Sequence, residues 1–146
     1  LTLKFFGNIP PPAVDLISEA VAARTVGVAP FDLTVRTVGV FPDLNRPRVV
    51  WLGLAGEVER LLVLQTSLER AFGVLGFPRE ERPFRAHLTL GRIKTPKGLV
   101  GLARAVEIGE RATAGLFRAD HLVLFRSELT PQGAVYARLA AFPLRG

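Results

Sequence analysis

The apolar residues of this chain change their spacing several times along the sequence, and the order of these changes is what most constrains the fold. Alternation of apolar and polar residues is typical of strands, and a spacing of three or four residues is typical of helices. Phe31, Leu33 and Val35 alternate with polar residues, as in an antiparallel strand with one buried face. This pattern predicts strands at 1–7, 31–40, 48–55, 85–93, 116–126 and 134–142, and helices at 11–24, 57–73 and 97–107.

The order of these segments is strand, helix, strand, strand, helix, strand, helix, strand, strand. Consecutive strands joined by short turns pair antiparallel, whereas a parallel sheet needs a crossover between strands. The order therefore predicts an α+β fold with antiparallel sheets and not a parallel doubly wound fold. A single domain over 1–146 is expected, because the chain has 146 residues and no low-complexity linker.

Composition removes several classes of function. The chain has no Cys and two His, which excludes disulfide frameworks, thiolate zinc sites and cysteine nucleophiles and argues against a multi-histidine metal site. No apolar run approaches the roughly 20 residues that cross a bilayer, and no signal peptide is visible, so a cytoplasmic protein is expected. The formal net charge of +6 favours an anionic partner.

The strongest candidate for chemistry is His87 with Thr89, two residues later on a predicted strand. Residues i and i+2 of a strand share a face, so the imidazole and the hydroxyl point the same way. An imidazole moves protons near neutral pH, and a hydroxyl donates to phosphoryl oxygens. The pair suits phosphate chemistry, although the same pattern alone is common on strand surfaces that have no function.

Arg92 lies just beyond this pair and carries a charge that would neutralise a phosphate. In a regular strand, however, Arg92 shares the face of Leu88 and Leu90. It reaches the His87 side only if the strand has a bulge or a turn near Gly91, which a glycine permits.

The chain also contains a short internal repeat. Leu1-Thr2-Leu3 recurs as Leu88-Thr89-Leu90, so Thr2 stands where Thr89 does. The position that matches His87 would fall directly before Leu1. We expect that residue to be a histidine and the natural chain to begin upstream of Leu1.

These two segments carry a resemblance to a known family. His87-Leu88-Thr89-Leu90 with Arg92, together with Leu1 to Gly7, resembles the two signature motifs of the 2H phosphoesterase superfamily. The similarity is greatest to its bacterial and archaeal branch of RNA 2′,3′-cyclic phosphodiesterases, also called 2′-5′ RNA ligases. Supporting stretches are Phe41-Pro42, Pro47 to Trp51, Arg126 to Leu129 and Gly133 to Tyr136.

The resemblance implies a more specific architecture. The family has two pseudo-symmetric lobes of antiparallel sheet with outer helices, and the active cleft lies between the sheets. Each lobe contributes one His-x-Thr motif. A strand and a helix precede the first histidine in the family, so domain 1–146 is expected to be N-terminally incomplete.

The resemblance also implies the chemistry and the site residues. The substrate is an RNA 2′,3′-cyclic phosphate end, which is opened to a 2′-phosphate without metal or cofactor, and reversible 2′-5′ RNA ligation is expected at the same site. One histidine is the general base and the other is the general acid, with His87 assigned as base by analogy. Thr2 and Thr89 would hold phosphate oxygens. The expected substrate-binding residues are Arg92, Lys4, Phe6 and Tyr136.

Three interpretations remain beside this one. The chain is a non-catalytic RNA-binding module of the same fold, or it acts on small cyclic nucleotides instead of RNA, or it is a partial product of a longer protein. Strand parity places Phe5 in the core with Leu1 and Leu3. His121 lacks a hydroxyl residue two positions on, so a structural or exposed role is expected for it. We expect a monomer.

Overall fold

The structure is a computed structural model that describes residues 1–95 and 99–146. The helices are α1 (Pro12–Thr25), α2 (Val58–Val74) and α3 (Leu102–Gly109). The strands are β1 (Phe31–Phe41), β2 (Val49–Gly56), β3 (His87–Arg92), β4 (Thr113–Ala119), β5 (His121–Thr130) and β6 (Gly133–Pro143). One sheet has the order β3-β2-β1-β4, and β5 pairs with β6 in a second sheet. The pairs β1–β2, β2–β3 and β5–β6 are antiparallel, which confirms the α+β fold.

The chain divides into two compact units. The first comprises Leu1–Phe5, Asp32–Leu62 and Arg82–Phe117, and the second comprises Phe6–Phe31, Val63–Glu81 and Arg118–Gly146. The first unit therefore holds β2, β3 and α3 with nearly all of β1. The second unit holds α1, most of α2 and the β5–β6 hairpin.

In the first unit, one face of the sheet is apolar and covered. Leu33 on β1 is fully buried, and Val106 on α3 is nearly so. A Cβ atom at Gly109 would overlap the side chain of Val38, so this glycine lets α3 lie close against β1. The opposite face of the sheet carries His87 and Thr89.

In the second unit, α1 begins at a proline. Proline suits the first helical turn because it has no N–H group, and an N–H group there would have no partner within the helix. Ile17 and Val21 lie one turn apart on α1 and are buried, and α1 contacts β6. The buried apolar residues of α2 repeat at helical spacing; they are Leu61, Leu64, Leu68, Ala71 and Phe72. Within the described residues, no helix is both long and apolar enough to cross a membrane.

The strand predicted at 1–7 is wrong, because these residues form no regular strand. An alternating pattern favours an extended segment. A strand also needs a neighbouring strand to form hydrogen bonds with its backbone, and alternation does not show whether there is one. The parity prediction fails with it. The Phe5 side chain is 77% exposed, whereas the Phe6 ring packs edge-on against Phe72 and Phe77, with centroids 4.8 and 5.1 Å away.

The strand predicted at 116–126 is two strands that end and begin around Asp120. The carbonyl oxygen of Asp120 accepts a hydrogen bond from the Leu144 N–H at 2.8 Å. β4 belongs to the four-stranded sheet and β5 to the hairpin, so the apolar alternation runs on while the pairing partner changes. The helix predicted at 97–107 is found at Leu102–Gly109; residues 97 and 98 of that prediction lie outside the described residues.

Candidate active site

His87 is the first residue of β3 and is half-buried. Its Nδ1 atom lies 2.6 Å from the main-chain carbonyl oxygen of Arg85. Because a carbonyl oxygen only accepts hydrogen bonds, Nδ1 carries the proton and donates it. In the neutral imidazole the lone pair is then on Nε2, which is the atom able to take up a proton.

Aromatic packing holds the plane of this imidazole. The Phe41 ring meets His87 edge-on, with centroids 5.2 Å apart and an angle of 89° between the planes. Phe41 also stacks on Trp51 at 5.0 Å, and the Arg85 guanidinium lies 5.9 Å from the centre of the Phe41 ring. His87 is therefore held by a hydrogen bond at one nitrogen and by a ring against its side.

A glycine makes room for this aromatic group. Gly39 on β1 lies directly opposite Trp51 on β2, and a Cβ atom at Gly39 would overlap the indole ring. The ring can lie over β1, where Phe41 meets it, only because residue 39 has no side chain.

The strand register shows which side chains share a face with His87. His87 is paired with Gly53, and Thr89 is paired with Trp51. Paired residues of an antiparallel sheet point to the same face, and Trp51 and Gly53 are two residues apart on β2. His87 and Thr89 therefore share a face, as the sequence predicts. We call this face, with Trp51, Gly53, His87 and Thr89, the site face.

Arg92 also lies on the site face, because β3 contains a bulge. Val50 is paired with Gly91 and Trp51 with Thr89, so Leu90 is an extra residue without a partner on β2. The Leu90 side chain is 59% exposed. Arg92 is paired with Val49, which shares the face of Trp51. The bulge near Gly91 that a phosphate contact by Arg92 would require is thus present.

A second bulge, on β1, directly follows a residue of the site face that the sequence pattern does not indicate. On β1, Arg36 is paired with Gly53 and Val38 with Leu52, so Thr37 is the extra residue. Thr37 has a positive φ of 68°, an unusual backbone conformation for a β-branched residue. The pairing with Gly53 puts the exposed Arg36 on the same face as His87.

Sequence reasoning missed Arg36 because alternation gives the two faces of a strand but not its register with the neighbouring strands. Alternation along β1 separates Asp32, Thr34 and Arg36 from the apolar residues, which indicates only that Arg36 lies on the polar face. It does not indicate that this polar face is the face of His87. A left-handed residue such as Thr37 leaves no signal in the sequence unless it is glycine, asparagine or aspartate.

The remaining predicted site residues divide between the two units. Thr2 and Lys4 belong to the same unit as His87, and Thr2 is exposed whereas Lys4 is half-buried. Phe6 and Tyr136 belong to the other unit. The packing of Phe6 against two other rings favours a core role, and Tyr136 is an exposed residue of β6.

His121 is exposed at the start of β5, as predicted. Its Nδ1 makes a short contact with the Asp120 carboxylate. The hydrogen bond from His121 lowers the pKa of Asp120 below its usual value. His121 and His87 lie in different units, and the Asp120 contact accounts for one nitrogen of His121 without any substrate.

A comparison with protein families matches residues 1–131 to the 2′-5′ RNA ligase superfamily. A curated RNA 2′,3′-cyclic phosphodiesterase of Methanothermobacter thermautotrophicus is 38% identical over 143 residues, which cover 98% of this chain and 77% of the relative. Another, from Aeropyrum pernix, is 34% identical and covers 95% of this chain and 78% of the relative.

Solved structures agree with this placement. TT0787 of Thermus thermophilus superposes with a TM-score of 0.81 at 28% identity, covering 99% of this chain and 76% of that one. Escherichia coli LigT, solved with 3′-AMP, gives a TM-score of 0.75 at 21% identity, covering 99% and 75%, and shows the shared fold. The family match spans most of the chain and includes both His87 and Thr2, so this chain belongs to the 2′-5′ RNA ligase superfamily.

Proposed function

We propose that this chain hydrolyses the 2′,3′-cyclic phosphate end of RNA to a 2′-phosphate and supports 2′-5′ ligation at the same site. The superfamily match and the names of the curated relatives support the reaction class. The observation that carries the proposal is the hydrogen bond from His87 Nδ1 to the Arg85 carbonyl oxygen. It leaves Nε2 as a proton acceptor on a face that also carries a hydroxyl and two guanidinium groups.

His87 acts as the general base in this mechanism. Nε2 takes a proton from a water molecule as the water oxygen forms a bond to phosphorus, and the bond from phosphorus to the ribose O3′ breaks. The electron pair left on O3′ takes a proton from the second histidine, which the family pattern expects directly before Leu1. One proton is taken up and one is given, so the two histidines exchange protonation states and solvent resets them.

The other residues act on charge. The Thr89 and Thr2 hydroxyls donate hydrogen bonds to the non-bridging oxygens, which gain negative charge as the fifth bond to phosphorus forms. The guanidinium groups of Arg92 and Arg36 neutralise that charge. Arg92 lies on the same face as His87 because of the bulge at Leu90, and Arg36 lies there through its pairing with Gly53.

Ligation uses the same arrangement with a different nucleophile. If a ribose 5′-hydroxyl replaces the water, His87 takes its proton and the same P–O3′ bond breaks. The product is then a 2′-5′ phosphodiester with a free 3′-hydroxyl. The two activities differ only in which oxygen occupies the position of the attacking water.

A hydrolysis assay in excess EDTA tests the proposal. The substrates are a 2′,3′-cyclic mononucleotide and a single-stranded oligoribonucleotide with a cyclic phosphate end, and the products are separated as 2′- and 3′-phosphates. We expect 2′-phosphate in EDTA from the protein that carries the expected histidine before Leu1, and none from its His87→Ala variant. Turnover of the mononucleotide alone would identify a small-nucleotide enzyme. Bound RNA without any turnover would identify the non-catalytic RNA-binding module.

A further inference from the structure

The β5–β6 hairpin has a third bulge, and it changes which side chains share a face. Leu124 is paired with Ala140 and Phe125 with Arg138, so Leu139 is the extra residue. Without this bulge, Leu139 would lie opposite Phe125. With it, Arg138 and Tyr136 are turned to the side of Phe125. The half of the hairpin nearest its turn therefore has one face with Phe125, Ser127, Leu129, Ala134, Tyr136 and Arg138, which we call the Phe125 face.

The aromatic residues of this face are open to solvent. Phe125 is 52% exposed and Tyr136 is 66% exposed. Their rings meet edge-on, with centroids 6.2 Å apart, so they present two differently oriented ring surfaces side by side. Leu129 extends the same surface toward the hairpin turn and is almost fully exposed. Large exposed side chains gathered on one face indicate a binding surface rather than scattered surface residues.

The two faces of the hairpin differ in charge. Glu128 is the one acidic residue in His121–Thr130 and Gly133–Pro143, both of which are fully described, and it lies on the opposite face. There it is paired with Arg126 at 3.0 Å, so that face is close to neutral. The Phe125 face carries the Arg138 guanidinium and no carboxylate.

We propose that the Phe125 face binds the single-stranded part of an RNA, with bases stacked on Phe125 and Tyr136 and a phosphate at Arg138. Aromatic rings offer every base a stacking surface, and a guanidinium without a carboxylate beside it suits a phosphate. A second copy of this chain fits less well, because a two-fold contact of this face with itself would bring two Arg138 side chains together with no acidic partner.

The identity of the partner as RNA rests on the proposed function, but the binding does not rest on turnover. The test measures the affinity of a fluorescein-labelled single-stranded oligoribonucleotide with a 3′-phosphate end, by anisotropy, so no reaction is needed. The variants are Phe125→Ala and Tyr136→Ala. The matched control is Val135→Ala, since Val135 is the neighbour of Tyr136, is 56% exposed and lies on the opposite face.

We expect each aromatic variant to weaken binding by about five- to 150-fold, the effect of losing one stacked base. Val135→Ala should bind as the wild type does, and Tyr136→Phe should retain binding because it keeps the ring. Arg138→Gln should reduce the slope of log affinity against log salt by about 0.7, the contribution of one phosphate contact on a single strand. A duplex should bind more weakly than the single strand, since its bases are already stacked.

Unchanged affinity in both aromatic variants would overturn the proposal. So would a dimer, detected by sedimentation, that Phe125→Ala dissociates, because the face would then contact a second copy. Aromatic-dependent RNA binding by a wild-type protein that hydrolyses no cyclic phosphate would support this inference and contradict the proposed function instead. The two proposals therefore fail separately.

Discussion

Arg36 and His87 are paired with the same residue, Gly53, from the two strands that flank β2. Neighbouring strands lie about 4.8 Å apart, so the two backbones are separated by roughly 10 Å across a residue without a side chain. An arginine side chain is long enough to reach a group bound at the imidazole over this gap. A Cβ atom at Gly53 would lie 3.1 Å from the Arg36 carbonyl oxygen. Any other residue at position 53 would therefore crowd the space between Arg36 and His87.

His87→Ala is expected to abolish hydrolysis of a 2′,3′-cyclic nucleotide and leave folding nearly unchanged. The imidazole supplies the proton acceptor, but it is half-buried and contributes little to the core. The measurement is turnover beside a thermal unfolding curve. His121→Ala is the control, because His121 lies in the other unit. Retention of most of the activity by His87→Ala would exclude the assigned role.

Thr89→Val should lower turnover by about 10- to 1000-fold, the range seen when one oxyanion donor is removed. Valine keeps the shape and the strand preference of threonine, so the loss is confined to the hydroxyl. Thr89→Ser restores a hydroxyl and should recover most of the rate. If Thr89→Val is as active as the wild type, the phosphate binds away from Thr89.

Arg36→Gln should lower kcat/KM by about tenfold to 100-fold, because a hydrogen bond to a charged group is lost. The matched control is Arg104→Gln, since Arg104 is an exposed arginine of α3, the helix that packs on the opposite face of the sheet through Gly109. Equal kcat/KM values for the two variants would show that Arg36 does not reach the substrate.

Gly39→Ala should lower the free energy of unfolding by about 1–3 kcal/mol, the cost of forcing an extra group into a packed region. The new methyl group displaces Trp51 and with it the Phe41 ring that holds His87, so turnover should fall as well. Gly91→Ala is the control, because a Cβ there meets no atom within 4 Å. Urea denaturation compares the two, and equal stability would contradict the close packing of Trp51 on Gly39.

The neutral form of His87 should carry its proton on Nδ1. Two-bond ¹H–¹⁵N correlation spectra distinguish the two tautomers by the chemical shifts of the ring nitrogens. His121→Ala removes the signals of His121, and His87→Ala identifies the signals of His87 by their loss. A proton on Nε2 in the neutral form would contradict the hydrogen bond to Arg85 and the assignment of Nε2 as the base.

Much of the local structure was predictable from the sequence. The periodicity located α1, α2, β1 and β2 to within one or two residues, because a helix or a strand with one covered face must repeat its apolar residues. The same rule put His87 and Thr89 on one face. It failed at residues 1–7 and at Asp120, since alternation says that a segment is extended but not which strand it pairs with.

The bulges mark the limit of prediction at the site. The sequence indicated that Arg92 needs a bulge near Gly91, and the structure has one at Leu90. Nothing in the sequence indicated the bulge at Thr37 or the one at Leu139, because both residues fit an uninterrupted strand. Arg36 and Arg138 were assigned to no site, although the register puts Arg36 on the face of His87 and Arg138 on the face of Phe125.

The sequence by itself determined the α+β class, the antiparallel pairing and the motif that contains His87 and Thr89. These depend on local spacing, which the chain carries from residue to residue. The tertiary structure alone decided the tautomer of His87, the packing of Phe41 on Trp51 and His87, and the faces of Arg36 and Arg138. The tautomer depends on how the chain folds at Arg85, two residues before His87. The other features depend on register with a neighbouring strand, where a shift of one residue turns a side chain to the other face of a sheet.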